Sequence, residues 1–158
     1  MWPRILLFIS PLVLGVVPAA HASPVAFTET LQNESQTFAD VLPCRESLGD
    51  YDTTITYNAV FHVTSGFDVP ASPIPLYHLT GTSTGRFVAV PRDFSQPTFT
   101  GRFTVAFDEN RNTESFTTKV TSSWRGTGTD GSAITFHEVV HLSVSASGAT
   151  LEFDKPTC

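Results

Sequence analysis

Apolar residues recur at every second position through most of this chain, and that alternation limits the fold more than any other feature. In TTITYNAVFHVT (53–64), Ile55, Tyr57, Ala59, Phe61 and Val63 fall on one side, while Thr54, Thr56, Asn58 and His62 fall on the other. Successive side chains of a β-strand point to opposite faces, so a period of two marks a half-buried strand. Residues 98–108 repeat the pattern with Phe99, Gly101, Phe103, Val105 and Phe107, and residues 116–128 with Phe116, Val120 and Trp124. Ile134, Phe136, Val140, Leu142 and Val144 share a face in the next run, and Leu151 and Phe153 in the last. Residues 76–90 read as one long bent strand or two short ones, with a bulge or sharp coil expected at Gly81 and Gly85. No segment carries an apolar period of 3.6, so no amphipathic helix is expected.

Turn residues punctuate these runs. Asp130-Gly131 is the strongest hairpin signal, and it makes the glycine-rich stretch 126–132 a link between two strands rather than a phosphate loop, which opens a helix. Sequential strands with short connections imply an all-β antiparallel meander of about seven or eight strands. Such a sheet has to hide its edges. Closure into a small β-barrel does so, and a β-sandwich is the competing architecture. The echo of Thr84-Gly85-Arg86-Phe87 in Thr100-Gly101-Arg102-Phe103 suits two similar barrel corners.

The ends of the chain set its compartment. Arg4 followed by the apolar run 5–17, Pro18 and an Ala20-His21-Ala22 cleavage site predict a signal peptide over residues 1–22. The apolar run is too short for a membrane span, which needs about 20 residues. Residues 23–50 are polar and irregular, leaving 51–158 as a single barrel domain. Export into an oxidising compartment predicts a Cys44–Cys158 disulfide, against two free thiols or an intermolecular bridge. The chain has a formal charge of −6 and no Lys/Arg cluster, so neither nucleic acid nor, after cleavage, a membrane surface is expected as a partner.

His137-Glu138-Val139-Val140-His141 matches the H-E-x-x-H signature of zinc proteases. That chemistry needs a helix, where i and i+4 stack on one face and both imidazoles reach one metal. Here the flanks alternate as a strand, which sets the two histidine Cα atoms roughly 13 Å apart, too far for one tetrahedral zinc with bonds of about 2.0–2.1 Å. The strand also turns Glu138 to the opposite face. The match is read as chance, with no metal or other cofactor and no catalytic residue assigned. His62, His137 and His141 stay as the candidate metal ligands, should His62 or His78 meet one of His137 and His141 from a neighbouring strand.

Asp40-Val-Leu-Pro-Cys44, Thr54-Ile-Thr-Tyr-Asn-Ala-Val-Phe-His-Val63, Thr100-Gly-Arg-Phe103, Phe136-His137 with His141, Ser145-Ala-Ser-Gly148 and the final Cys158 together resemble a group of small secreted proteins of actinomycete bacteria. The resemblance covers nearly all of the chain beyond the leader. It implies secretion and a common β fold, and it brings no catalytic residues, since the group has no assigned function. Its pattern carries Phe-His-x-x-x-His without requiring Glu138.

The expected function is therefore that of a secreted, non-catalytic binding module holding a small apolar or amphipathic ligand. Glu138, Tyr57, Phe103 and Trp124 are the candidate ligand-binding residues. Glu138 stands out because it interrupts an apolar face between Phe136 and Val140, where burial would raise its pKa. An enzyme with Glu138, a histidine and Tyr57 or Tyr77 at the barrel mouth is one alternative, and a solid barrel acting through its surface is another.

Overall fold

The computed structural model describes residues 25–66, 76–148 and 150–158, so the expected signal peptide over residues 1–22 lies outside the described residues. One antiparallel sheet holds seven strands in sequence order: β1 (Val25–Val41), β2 (Asp50–Gly66), β3 (Leu76–Pro91), β4 (Phe99–Arg111), β5 (Ser115–Gly128), β6 (Ala133–Ser145) and β7 (Thr150–Thr157). A 3-10 turn at Glu46–Leu48 is the one helical element among the described residues. The meander is as the alternation implies. Between β5 and β6, Asp130 and Gly131 form the expected hairpin: the Asp130 carboxylate accepts hydrogen bonds from the Ser132 backbone N–H (2.9 Å) and hydroxyl (2.6 Å), and Gly131 takes φ 81°.

Two expectations are corrected. Residues 25–41, expected to be irregular, form a strand paired with β2 along its length. The alternation was hidden because Glu29, Glu34, Gln36 and Asp40 occupy inward register positions between Phe27, Leu31 and Phe38, and because a register shift between Leu31 and Glu34 breaks the period. The second concerns Gly81 and Gly85, which mark no bulge. β3 is one strand in unbroken register with both β2 and β4.

Those glycines instead make room for rings. The two TGRF segments pair antiparallel, so that Gly85 faces Phe103, Arg86 faces Arg102 and Phe87 faces Gly101. A Cβ on Gly85 would lie 2.8 Å from the Phe103 ring, and one on Gly101 would lie 2.6 Å from the Phe87 ring. Each phenylalanine thus lies flat over the bare backbone of the opposite strand, the arrangement by which an aromatic ring shields a strand glycine. The next strand continues the block, with Gly101 facing Gly126 and Phe103 facing Trp124. The Phe103 and Trp124 rings stack with centroids 4.7 Å apart, and Phe87 meets Trp124 at 5.2 Å.

This aromatic block is the centre of a core that also takes in Leu42, Tyr51, Ile55, Ala89, Phe99 and Ile134. The cluster spans β2 to β6, so the sheet curls around it. Six strand spacings would hold the edges of a flat sheet roughly 29 Å apart. Yet Cys44, just beyond edge strand β1, and Cys158, just beyond edge strand β7, are joined in a disulfide with Cα atoms 5.7 Å apart. Arg45 adds a hydrogen bond of 2.7 Å to the Ala133 carbonyl of β6, and Leu42 plugs the same end of the core.

Replacing both cysteines by serine should lower stability by about 4–5 kcal/mol, given the long loop the bond closes. Gly101→Ala should cost about 1–3 kcal/mol, because its Cβ would collide with the Arg125 carbonyl oxygen. Gly66→Ala, where a Cβ meets nothing within 4 Å, should stay within about 0.5 kcal/mol of the parent. Urea unfolding of the three variants checks the set.

Candidate functional site

The ladder registers divide the sheet into cross-strand rows, and on the inner face the chemistry changes from one row to the next. Tyr57, Gly85, Phe103, Trp124 and Phe136 form one aromatic row. The adjacent row runs Ala59, Ser83, Val105, Ser122, Glu138 and Pro156, and sets a buried acid beside a buried hydroxyl. All four candidate ligand-binding residues therefore share the inner face in two neighbouring rows. Phe103 and Trp124 are packed against each other and against the core, so they form the wall of any site rather than line an empty space.

Glu138 is 4% exposed, and burial pushes its carboxyl up to about 7, with the nearby charge of Asp154 adding to the shift. Its direct cross-strand neighbour is Ser122, whose buried hydroxyl makes no hydrogen bond among the described residues. Two rows on, the pattern repeats: buried Glu109 faces Thr118, whose hydroxyl is likewise buried and unpartnered. Glu109 accepts a hydrogen bond from the Tyr77 hydroxyl, and burial together with that carboxylate raises the Tyr77 pKa to about 12. Between these rows lie Phe61, Phe107, Val120 and Val140, with the Phe61 and Phe107 rings 5.4 Å apart and Asp154 of β7 at the end of the row.

The arrangement is an apolar surface carrying two acid–hydroxyl pairs. Buried polar groups are almost always hydrogen-bonded, so two orphan hydroxyls beside buried acids mark unused hydrogen-bonding capacity. A carboxyl that keeps its proton near neutral pH can both donate and accept. Sequence reasoning found Glu138 through its break in the apolar alternation. It missed Ser122, Thr118 and Glu109, since Ser and Thr at strand positions give no signal and Glu109 sits in a segment rich in turn residues.

The histidines are elsewhere. His62, His78, His137 and His141 all occupy outer-face positions, on strands β2, β3 and β6. H-E-x-x-H lies on strand β6, with Glu138 turned away from both imidazoles. His62 and His141 belong to one row but are four strand spacings apart, roughly 19 Å along the sheet. His137 hydrogen-bonds Ser123 at 2.8 Å, and His62 hydrogen-bonds Thr28 at 2.9 Å. Among the described residues no three His, Cys, Asp or Glu side chains are grouped to hold a metal, and no histidine shares the face of Glu138. No described helix is long and apolar enough to cross a membrane.

Family models, curated proteins and solved structures give no match to the chain.

A carboxyl raised by burial favours the folded state while protonated, so its contribution is present below the ordinary value of 4.5 and is lost as pH rises to about 7. The parent should lose stability, on the order of 3 kcal/mol, across that window relative to Glu138→Gln, which keeps the shape and cannot ionise. Thermal melts of both proteins at pH 4.5, 5.5, 6.5 and 7.5 check this, with curves that diverge as pH rises.

Proposed function

We propose that the protein is a secreted binding module that holds a small amphipathic molecule against the inner face of a partly closed barrel. The observation that carries this reading is the pair of buried, unpartnered hydroxyls, Ser122 and Thr118, each opposite a buried acid and separated by the apolar side chains of Phe61, Phe107, Val120 and Val140. Binding sites for small molecules are mostly apolar with a few converging polar groups, and this face has that composition. The Glu138 carboxyl and the Ser122 hydroxyl would hold the polar head of the ligand, through a hydroxyl, amide or carboxylic acid group. Phe61, Phe107, Val120 and Val140 would contact its apolar part.

The disulfide tying the two edge strands at one end supports closure there, and it suits an oxidising compartment. With the leader removed, Trp124 is the one remaining indole, since Trp2 lies within residues 1–22. It stands two residues from Ser122 on the same face and serves as a built-in reporter.

Native and denaturing mass spectra of the secreted protein test the reading. An organic mass present only in the native spectrum is expected, or else a change in Trp124 fluorescence on titration with medium-chain alcohols and amides. Thr118→Val and Ser122→Ala should weaken that response at least tenfold while leaving the free protein as stable or more stable, because each removes a hydroxyl with no partner to lose. A clean native mass with no fluorescence response, or variants that lose stability and keep the response, would contradict the proposal.

A further inference from the structure

The outer face carries a feature that the inner-face site does not use. Arg86 on β3, Arg102 on β4 and Arg125 on β5 are direct neighbours in one cross-strand row, bounded by Thr56 and Thr135. All three side chains are exposed, and none takes part in an ion pair among the described residues. The outer-face acids Asp52 and Asp108 are paired elsewhere, with Arg92 at 2.8 Å and with His78 at 3.4 Å. Like charges directly opposite each other destabilise a sheet, and here three are stacked on central strands of a chain with a formal charge of −6.

The row is built rather than incidental. The glycine–aromatic interlock on the inner face fixes the register that sets Arg86 against Arg102 and Arg102 against Arg125. A groove of about 550 Å³ runs beside it, lined among others by Asn33, Asn58, Arg86 and Arg102, with Tyr57 and Phe103 bordering it from inner-face register positions. The flanking row of Asn58, Thr84, Thr104, Ser123 and His137 offers amide, hydroxyl and imidazole groups.

We propose that this face binds a linear acidic polysaccharide, with successive carboxylate or sulfate groups seated on Arg102 and its two neighbours. Adjacent strands space the guanidinium groups about 4.8 Å apart at their bases, close to the repeat of an extended sugar chain. Each guanidinium presents a planar fork that matches a carboxylate or sulfate through paired hydrogen bonds. The amide and hydroxyl side chains of the flanking row suit sugar hydroxyls. Single-stranded nucleic acid is disfavoured because the outer-face rows beside the arginines hold no Phe, Tyr or Trp for bases to stack on, and the groove's Tyr57 and Phe103 belong to the inner face.

Binding of the disulfide-bonded protein to heparin fragments and to polygalacturonate, measured by calorimetry at low salt with neutral dextran and a single-stranded oligonucleotide beside them, tests this. The expected result is binding to one or both acidic polysaccharides and none to dextran, with a log–log salt slope of roughly −2 to −3 that falls by about one for Arg102→Ser. Arg102→Ser should weaken the affinity at least tenfold. The triple variant Arg86→Ser, Arg102→Ser, Arg125→Ser should abolish binding while melting no lower than the parent, since it relieves repulsion. Lys119→Ser with Lys155→Ser, which removes positive charge from the same face outside the row, should leave the affinity within about twofold. Absence of binding by the parent, equal binding by the triple variant, equal loss in the lysine variant, or tighter binding of the oligonucleotide would each overturn the proposal.

Discussion

The structure depends on the interlock of glycine and aromatic side chains across β3, β4 and β5. A strand glycine is ordinarily a weakness, since it has no side chain to pack and loses more backbone entropy on ordering than any other residue. Here the missing side chain is what lets a ring from the adjacent strand lie against the backbone. Gly85 receives Phe103, and Gly101 and Gly126 both receive Phe87. The rings are then close enough for Trp124 to stack on Phe103, and the block becomes the centre around which the outer strands curl. A slip of one residue in either ladder would drive a phenylalanine into a Cβ and turn every side chain of the strand to the wrong face. The interlock therefore specifies register as well as stability.

Fixed register gives the sheet two chemically different faces. Glu29, Glu109, Glu138, Glu152 and Asp154 take inner-face register positions, while Arg86, Arg102 and Arg125 line up outward on β3, β4 and β5, with Asp52 and Asp108 on that outer face paired instead with Arg92 and His78. The last strand shows how strongly the division holds. The register of β7 sets Glu152 and Asp154 beside Leu142 and Val140 on the inner face, and Leu151, which is 62% exposed, beside Ser143 on the outer one. Leu151 thus faces outward and the acids inward, opposite to the other strands. Being an edge strand, β7 can hold that orientation because it meets the sheet on one side only.

Much of the fold was legible in the sequence because alternation over long strands leaves few other ways to bury Phe, Val and Trp. The strands of residues 51–66, 99–111, 115–128 and 133–145 all show it, and the Asp130-Gly131 turn and the Cys44–Cys158 pairing were equally plain. β1 was not legible. Its inner positions are half charged and its register shifts at Leu31, as befits an edge strand whose burial is shallow. The site was half legible: Glu138 announces itself by interrupting an apolar face, whereas the hydroxyls opposite Glu138 and Glu109 acquire meaning only from cross-strand pairing. The arginine row is the extreme case. Three residues far apart in sequence become neighbours through two ladder registers, and nothing in local composition marks them. The repeat of Thr-Gly-Arg-Phe carried that information, though it signals two strands facing one another rather than two barrel corners.

Native-state amide hydrogen exchange can show whether the β3–β4–β5 block holds the rest of the sheet in place. Amides at residues 85–88, 101–104 and 124–127 should exchange only through global unfolding, with free energies matching that from urea denaturation. Those of β1 and β7 should open locally at lower cost. If the central amides exchange by local opening, or if β1 and β7 are protected as strongly as they are, the interlock is not what organises this sheet.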